Sequence, residues 1–201
     1  MRQRPYQRRR RGPVLTIVIV LAAASIATWV TVLVNASAGS GGAACPTATA
    51  GPPPGTVLPA DALDGVAPEA ASAAKVRVFN AGGQRGQANL VAAQLGDLGF
   101  VQAAPPGNDP LFPKGGMTCI GQIRFGPAGE AAASTVALVV PCAELVRDTR
   151  TGDSVDVAVG TAFGDVNPTR SVRDVLEELA SGGADPAVDQ ATLTSARTRR
   201  C

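Results

Sequence analysis

The chain has 201 residues and no histidine, and it carries one tryptophan, one tyrosine and five phenylalanines. Without histidine there is no Ser-His-Asp or Cys-His catalytic set, no imidazole ligand for zinc and no side chain that ordinarily titrates near neutrality. An aromatic content of 3% leaves little with which to stack nucleobases or sugar rings, and no nucleic-acid partner is expected. Alanine (36) and glycine (23) are plentiful instead, so a core has to be built mainly from Val, Leu and Ala.

Charge of one sign is missing from long stretches. The 18 basic and 16 acidic residues sum to +2. Arg2, Arg4, Arg8, Arg9, Arg10 and Arg11 all precede residue 12, where no acid occurs. Setting these six aside leaves 12 basic against 16 acidic groups, or −4, on the remainder. Residues 14–34 (VLTIVIVLAAASIATWVTVLV) contain no charge, and as a helix they span roughly 31 Å, the thickness of a bilayer core. Residues 35–74 contain no Lys or Arg. The positive-inside bias then predicts a single-pass protein of the inner membrane, N-terminus cytoplasmic and everything from Asn35 onward extracytoplasmic. Trp29 suits an interfacial anchor. A cleaved signal peptide is the competing reading, because Ala36-Ser37-Ala38 has the small-x-small form, but the apolar run exceeds the usual secretory length. Lipidation of Cys45 is disfavoured by Gly42, which stands where a lipobox normally has Leu.

Residues 35–74, rich in Ala, Gly, Ser, Thr and Pro, read as a spacer without a core. From Lys75 the pattern becomes that of a folded domain. Residues 75–79 alternate like a strand, 80–83 form a turn, and Ala88, Val91, Ala92, Leu95 and Leu98 mark one face of a helix over 84–98. A second strand follows at 100–103, then a long loop over 104–118, a strand at 120–125, a helix over 128–140 opened by Pro127, a short apolar piece at 143–148 and an alternating strand at 154–159. Two strand-helix-strand units in tandem predict an α/β sandwich with one sheet. Helices over 172–180, capped by Ser171, and 186–197 complete the chain.

The run Val76-Arg77-Val78-Phe79-Asn80-Ala81-Gly82-Gly83-Gln84-Arg85-Gly86-Gln87-Ala88, with Leu98-Gly99-Phe100, resembles the opening of the LytR C-terminal domain family. Ile123-Arg124-Phe125-Gly126-Pro127-Ala128-Gly129 and Val155–Phe163, which ends in Gly160-x-x-Phe163, resemble its later strand-helix start and closing strand. Overall the chain is similar to membrane-anchored envelope-integrity proteins of mycobacteria and their actinobacterial relatives. The expected organisation is a cytoplasmic basic tail (1–13), a transmembrane helix (14–34), a linker (35–74), a LytR C-terminal-like domain (75–164) and a C-terminal helical extension (165–201). The resemblance implies a role in the cell envelope without a defined reaction, and a partner that is a cell-wall polymer or a LytR-CpsA-Psr-type ligase. It implies no cofactor. An accessory or catalytic part in glycopolymer transfer, or a self-associating scaffold, are the alternatives; the oligomeric state stays open.

Cys45, Cys119, Cys142 and Cys201 all fall on the side expected to be exported, where disulfides persist, and they allow three pairings. A strand over 120–125 and a helix over 128–140 are each roughly 20 Å long, so the helix should return to where the strand began and bring Cys119 to Cys142. Cys45–Cys201 then follows by elimination. No Cys-x-x-Cys occurs, and no metal site is expected.

The turn Asn80, Gly82, Gly83, Gln84, Arg85, Gly86 follows a strand and opens a helix, where backbone N–H groups favour an anion and Arg85 adds a charged fork. It is the candidate ligand-binding site; the simpler reading is that its glycines serve the turn and close packing. It lacks Gly-Lys-Ser/Thr and does not fit Gly-x-Gly-x-x-Gly, so a nucleotide is not expected. Asp148, Asp153 and Asp156 read as an ordinary solvated strand face and not as an acid/base pair.

Overall fold

The structure is a computed structural model that describes residues 12–38, 44–182 and 188–198. It divides into two units, Met1–Ser40 and Gly41–Cys201. In the first, α1 runs over Gly12–Ala38, 27 residues or roughly 40 Å. Side chains are described over 17–30, all exposed, with Trp29 among them. Among the described residues no helix is long and apolar enough to cross a membrane. The span expected over 14–34 lies within α1 and extends past both ends of 17–30, the part whose side chains are described. The six arginines before residue 12 lie outside the described residues.

The second unit is a mixed α/β fold on one sheet. Its strands are β1 (Thr56–Leu58), β2 (Lys75–Asn80), β3 (Val101–Gln102), β4 (Gly107–Asn108), β5 (Gly121–Phe125), β6 (Glu144–Arg147) and β7 (Val155–Val159). The order is β1-β6-β5-β7-β2-β3, with β4 also on β2. β2-α2-β3 and β5-α3-β6 are parallel crossovers, where α2 is Gln87–Asp97 and α3 is Glu130–Val139 after a short 3-10 turn at Pro127–Gly129. β7 lies between them, parallel to β2 and antiparallel to β5. The two expected strand-helix-strand units are present, and the undecided piece at 143–148 is strand β6.

The period-2 alternation decides the layers. Val76, Val78, Ile123, Phe125, Leu145, Val155, Val157 and Val159 point to one side, where they form a single apolar core with Val91 and Leu95 of α2 and Ala133 and Val136 of α3. Helices α4 (Arg170–Ser181) and α5 (Gln190–Ala196) join the same core through Val172, Val175, Leu176, Leu179 and Leu193. The cap of α4 is Thr169, whose hydroxyl accepts the Val172 N–H at 3.3 Å; the expected cap, Ser171, sits inside the helix with its hydroxyl 3.1 Å from that of Thr169.

Part of the stretch read as a linker belongs to the fold. β1 pairs antiparallel with β6 from Thr56↔Arg147 to Leu58↔Leu145, and Leu63, Ala71 and Ala74 are buried in the main core. Ser134 and Thr135 of α3 donate to the Val66 and Glu69 carbonyls at 3.0 and 2.7 Å, and Arg197 donates to the Val66 carbonyl at 2.6 Å. Composition alone suggested a chain too poor in large apolar side chains to fold. It folds because it adds to a core that the rest of the domain has already built.

The other sheet face is covered by residues 44–50 and the loop after β4. Phe112 and Met117, 1% and 0% exposed, form a second cluster there with Ala81, Cys119 and Ala158, against Cys45, Ala48, Phe79 and Leu111. This arrangement corrects the cysteine pairing. Cys119 is bonded to Cys45, across a sequence separation of 74, with Cys45 Sγ also 3.4 Å from the Gly121 carbonyl oxygen. The strand-and-helix argument returns the chain beside the start of β5, as the parallel pairing from Gln122↔Glu144 has it, but takes no account of side. Cys119 points to the face away from α3, whereas Ala143 beside Cys142 packs into the helix-side core. Cys142 is disulfide-bonded too, and Cys201 lies outside the described residues.

Candidate functional site

The turn after β2 is built by Asn80. Its Oδ1 accepts the Gly83 N–H at 2.8 Å and its Nδ2 donates to the Gln84 carbonyl at 2.6 Å, so its amide closes the loop. Gly82 is fixed by close approach: a Cβ there would lie 2.8 Å from the backbone of Gly160 and Thr161. Gly86, at φ +79°, is the N-cap of α2 and supplies no side-chain cap bond. Gly83 abuts the Gly115 backbone, next to Lys114. Thus the turn's glycines have structural duties, and Gly82→Ala is expected to destabilise the domain by about 1–3 kcal/mol through backbone displacement, read as a lower urea midpoint.

Two cations remain at this end of the sheet. Arg85 and Lys114 have no ion-pair or hydrogen-bond partner among the described residues, and both are exposed. Gln87, the first residue of α2, is buried, donates through Nε2 to the Gly160 carbonyl at 3.3 Å and has no partner for Oε1 among the described residues. The six expected residues lie in one loop, and of these six Arg85 is the one that carries a charge, with Lys114 of the neighbouring loop beside Gly83.

A polar row on the covered sheet face was not foreseen. Pairing sets Asp156 of β7 opposite Arg77 of β2 on one side and opposite Arg124 of β5 on the other. Arg77 grips Asp156 with two parallel bonds of 2.9 Å, and its guanidinium lies 4.6 Å over the Phe79 ring. Arg150, from the β6–β7 connection, bonds Asp156 Oδ2 at 2.7 Å and Asp148 Oδ2 at 2.6 Å. Arg124 is buried beside Asp109, with Nη1 and Oδ2 2.8 Å apart as an ion pair not aligned as a hydrogen bond. Its Nε donates to Gln122 Oε1 at 2.9 Å, and Gln122 passes the chain to Glu144 at 2.7 Å. The Arg124 Nη2 has no partner among the described residues.

The electrostatics of this row follow from burial against pairing. Burial pushes the Asp156 carboxyl up, but hydrogen bonds from Arg77 and Arg150 outweigh it and hold the group below the usual carboxylate range. For Arg150, burial acts downward and the bonds to Asp156 and Asp148 more than reverse it. Burial wins at Arg124, which is lowered despite Asp109. Asp156 is consequently no solvated outward acid, as its place in an alternating strand suggested. A carboxylate held ionised between guanidinium groups takes up a proton only in acid, the opposite of what proton transfer near neutrality needs. Asp153 lies apart in an exposed pair with Lys75 at 2.8 Å. Among the described residues no group of His, Cys, Asp or Glu could hold a metal ion.

Fold and sheet faces together define a two-layer α/β module of the LytR C-terminal type. Residues 73–163 match the family described as LytR cell envelope-related transcriptional attenuator. The chain is 37% identical over 203 residues to the cell envelope integrity protein Cei of Mycobacterium tuberculosis, a match spanning 98% of this chain and 93% of that one. It also resembles the crystal structure of the soluble domain of a conserved hypothetical secreted protein from Mycobacterium marinum. That likeness has a TM-score of 0.67 at 39% identity, covering 74% of this chain and 99% of the other. The chain belongs to the Cei family, with a LytR C-terminal domain at its centre.

Proposed function

We propose that this chain is a noncatalytic, membrane-anchored protein whose extracytoplasmic domain supports cell-envelope integrity by binding a wall component or a wall-assembly protein. The observation that carries the reading is the end-to-end similarity to Cei, which covers the N-terminal basic and apolar segments as well as the domain. The six N-terminal arginines and the uncharged run 14–34 support a single-pass anchor in the inner membrane with a cytoplasmic N-terminus. Disulfide-bonded Cys45, Cys119 and Cys142 support an oxidising, extracytoplasmic setting for the domain.

Two partners fit, and both engage the Asn80–Gly86 loop through Arg85: a wall polymer offering a carboxylate or phosphate, or a LytR-CpsA-Psr-type ligase. The exported body is −4 by formal charge, which repels anionic polymer except at a local cationic site and favours a protein partner. Incubating the full chain in detergent micelles with isolated wall sacculi, beside crosslinking in whole cells, separates the two. Sedimentation with sacculi that falls about tenfold in Arg85→Ala supports the polymer. Crosslinking to a ligase without sacculus binding supports the protein partner, and the absence of both sacculus binding and a crosslink contradicts the binding role.

A further inference from the structure

Residues 44–58 contain three exposed threonines, Thr47, Thr49 and Thr56, among Pro46 and Pro52-Pro53-Pro54. Exported segments that mix hydroxyl residues with proline are recurrent acceptors of O-linked sugar, because such chains stay extended and their hydroxyls face solvent. The structure separates the three. Thr49 donates its hydroxyl to the Leu111 carbonyl at 3.1 Å. Thr56 is locked into the β1–β6 ladder opposite Arg147. Thr47 lies in a stretch, 44–48, that is neither helix, strand nor turn, and its hydroxyl has no partner among the described residues.

Its surroundings hold it out. Two residues before it the Cys45–Cys119 bond pins the chain, and just after it the Thr49 and Ala50 N–H groups both donate to the Leu111 carbonyl, at 3.0 and 3.1 Å. Pro46 directly precedes it and locks its own φ at about −65°, which removes one backbone freedom from the segment. Thr47 is thus exposed on a short peptide tethered on both sides and outside any helix or strand, with its hydroxyl free to be reached from solvent.

We propose that Thr47 is an O-glycosylation acceptor. The inference rests on the extracytoplasmic placement proposed above. Charged nucleotide sugars do not cross a hydrocarbon core, so the donor on that side is a polyprenyl-phosphate-linked hexose. Thr47 Oγ1 attacks C1 of the hexose and the C1–O bond to phosphate breaks. Polyprenyl phosphate leaves with the electron pair, and the hydroxyl proton passes to a base of the membrane transferase. The product carries a hydrophilic group on the strap that covers the second sheet face.

Intact-mass and fragment-ion spectrometry of the full chain, isolated from an actinobacterial host, tests this. Expected is a mass above that of the polypeptide by whole hexose units, localised to Thr47, lost in Thr47→Ala and retained in Thr47→Ser and Thr49→Ala. Sugar found at Thr49 or Thr56 instead overturns the assignment. So does an unmodified chain whose Cys45–Cys119 bridge is formed, since that chain was exported and escaped modification. An unmodified chain with free thiols overturns the placement, and the inference falls with it.

Discussion

Replacing Asp156 with Ala lowers the unfolding free energy by about 2–3 kcal/mol, because it removes a buried carboxylate that accepts from both Arg77 and Arg150, while Arg150 keeps Asp148 and Arg77 reaches solvent. Asp156 is 4% exposed, which makes the loss large. Arg77→Ala removes one partner of the same group but costs less, about 1 kcal/mol, since the Arg77 side chain is 39% exposed and solvent takes up part of the charge. Urea unfolding of both variants, followed by circular dichroism, reads the difference. Equal midpoints for wild type and Asp156→Ala would show that the row is not a stabilising element.

The pH dependence has a fixed sign. The Asp156 carboxyl titrates lower in the folded chain than in the unfolded one, so its contribution is fully present above the unfolded value of about 3.9 and is lost as pH falls through the folded value. Wild type should therefore lose stability below roughly pH 4 more steeply than Asp156→Asn, which has no proton to take up at that position.

Removing the Cys45–Cys119 bridge by double replacement with Ala has a comparable effect. On the chain-entropy account, closing a loop with a sequence separation of 74 stabilises by about 4 kcal/mol. The double variant leaves the bond made by Cys142 in place, which bulk reduction does not. Its expected signature is a lower urea midpoint together with early proteolytic cutting between residues 44 and 58, since the bridge pins one end of that strap. Unchanged cutting there would mean that the Leu111 carbonyl bonds and β1 hold the strap unaided.

Periodicity located the elements that have a one-sided pattern. Val76 and Val78, or Val155, Val157 and Val159, announce strands because only one face of each meets the helices. The faces themselves were harder to read. Arg77 and Asp156 look like solvent-facing residues of separate strands, and only the register that sets them opposite one another makes them an ion pair. Asp109, Phe112 and Met117 lie in a stretch whose Pro and Gly content signals loop, and nothing local says that the loop folds back over the sheet. The same holds for β1, whose three residues draw their stability from β6 and not from their own composition. The Asn80–Gly86 turn was legible as a turn, since Asn and Gly have specific backbone roles there. The cysteine pairing was not, because distance along elements is readable from sequence while the side of a sheet on which a residue lands depends on the cover.

The most direct test of an envelope-integrity role is detergent and antibiotic permeability in a strain lacking this chain. Permeability should rise on deletion and return to normal when the full chain is restored, but not when residues 44–201 are exported without the N-terminal helix. Permeability that stays at the parental level after deletion would contradict the account.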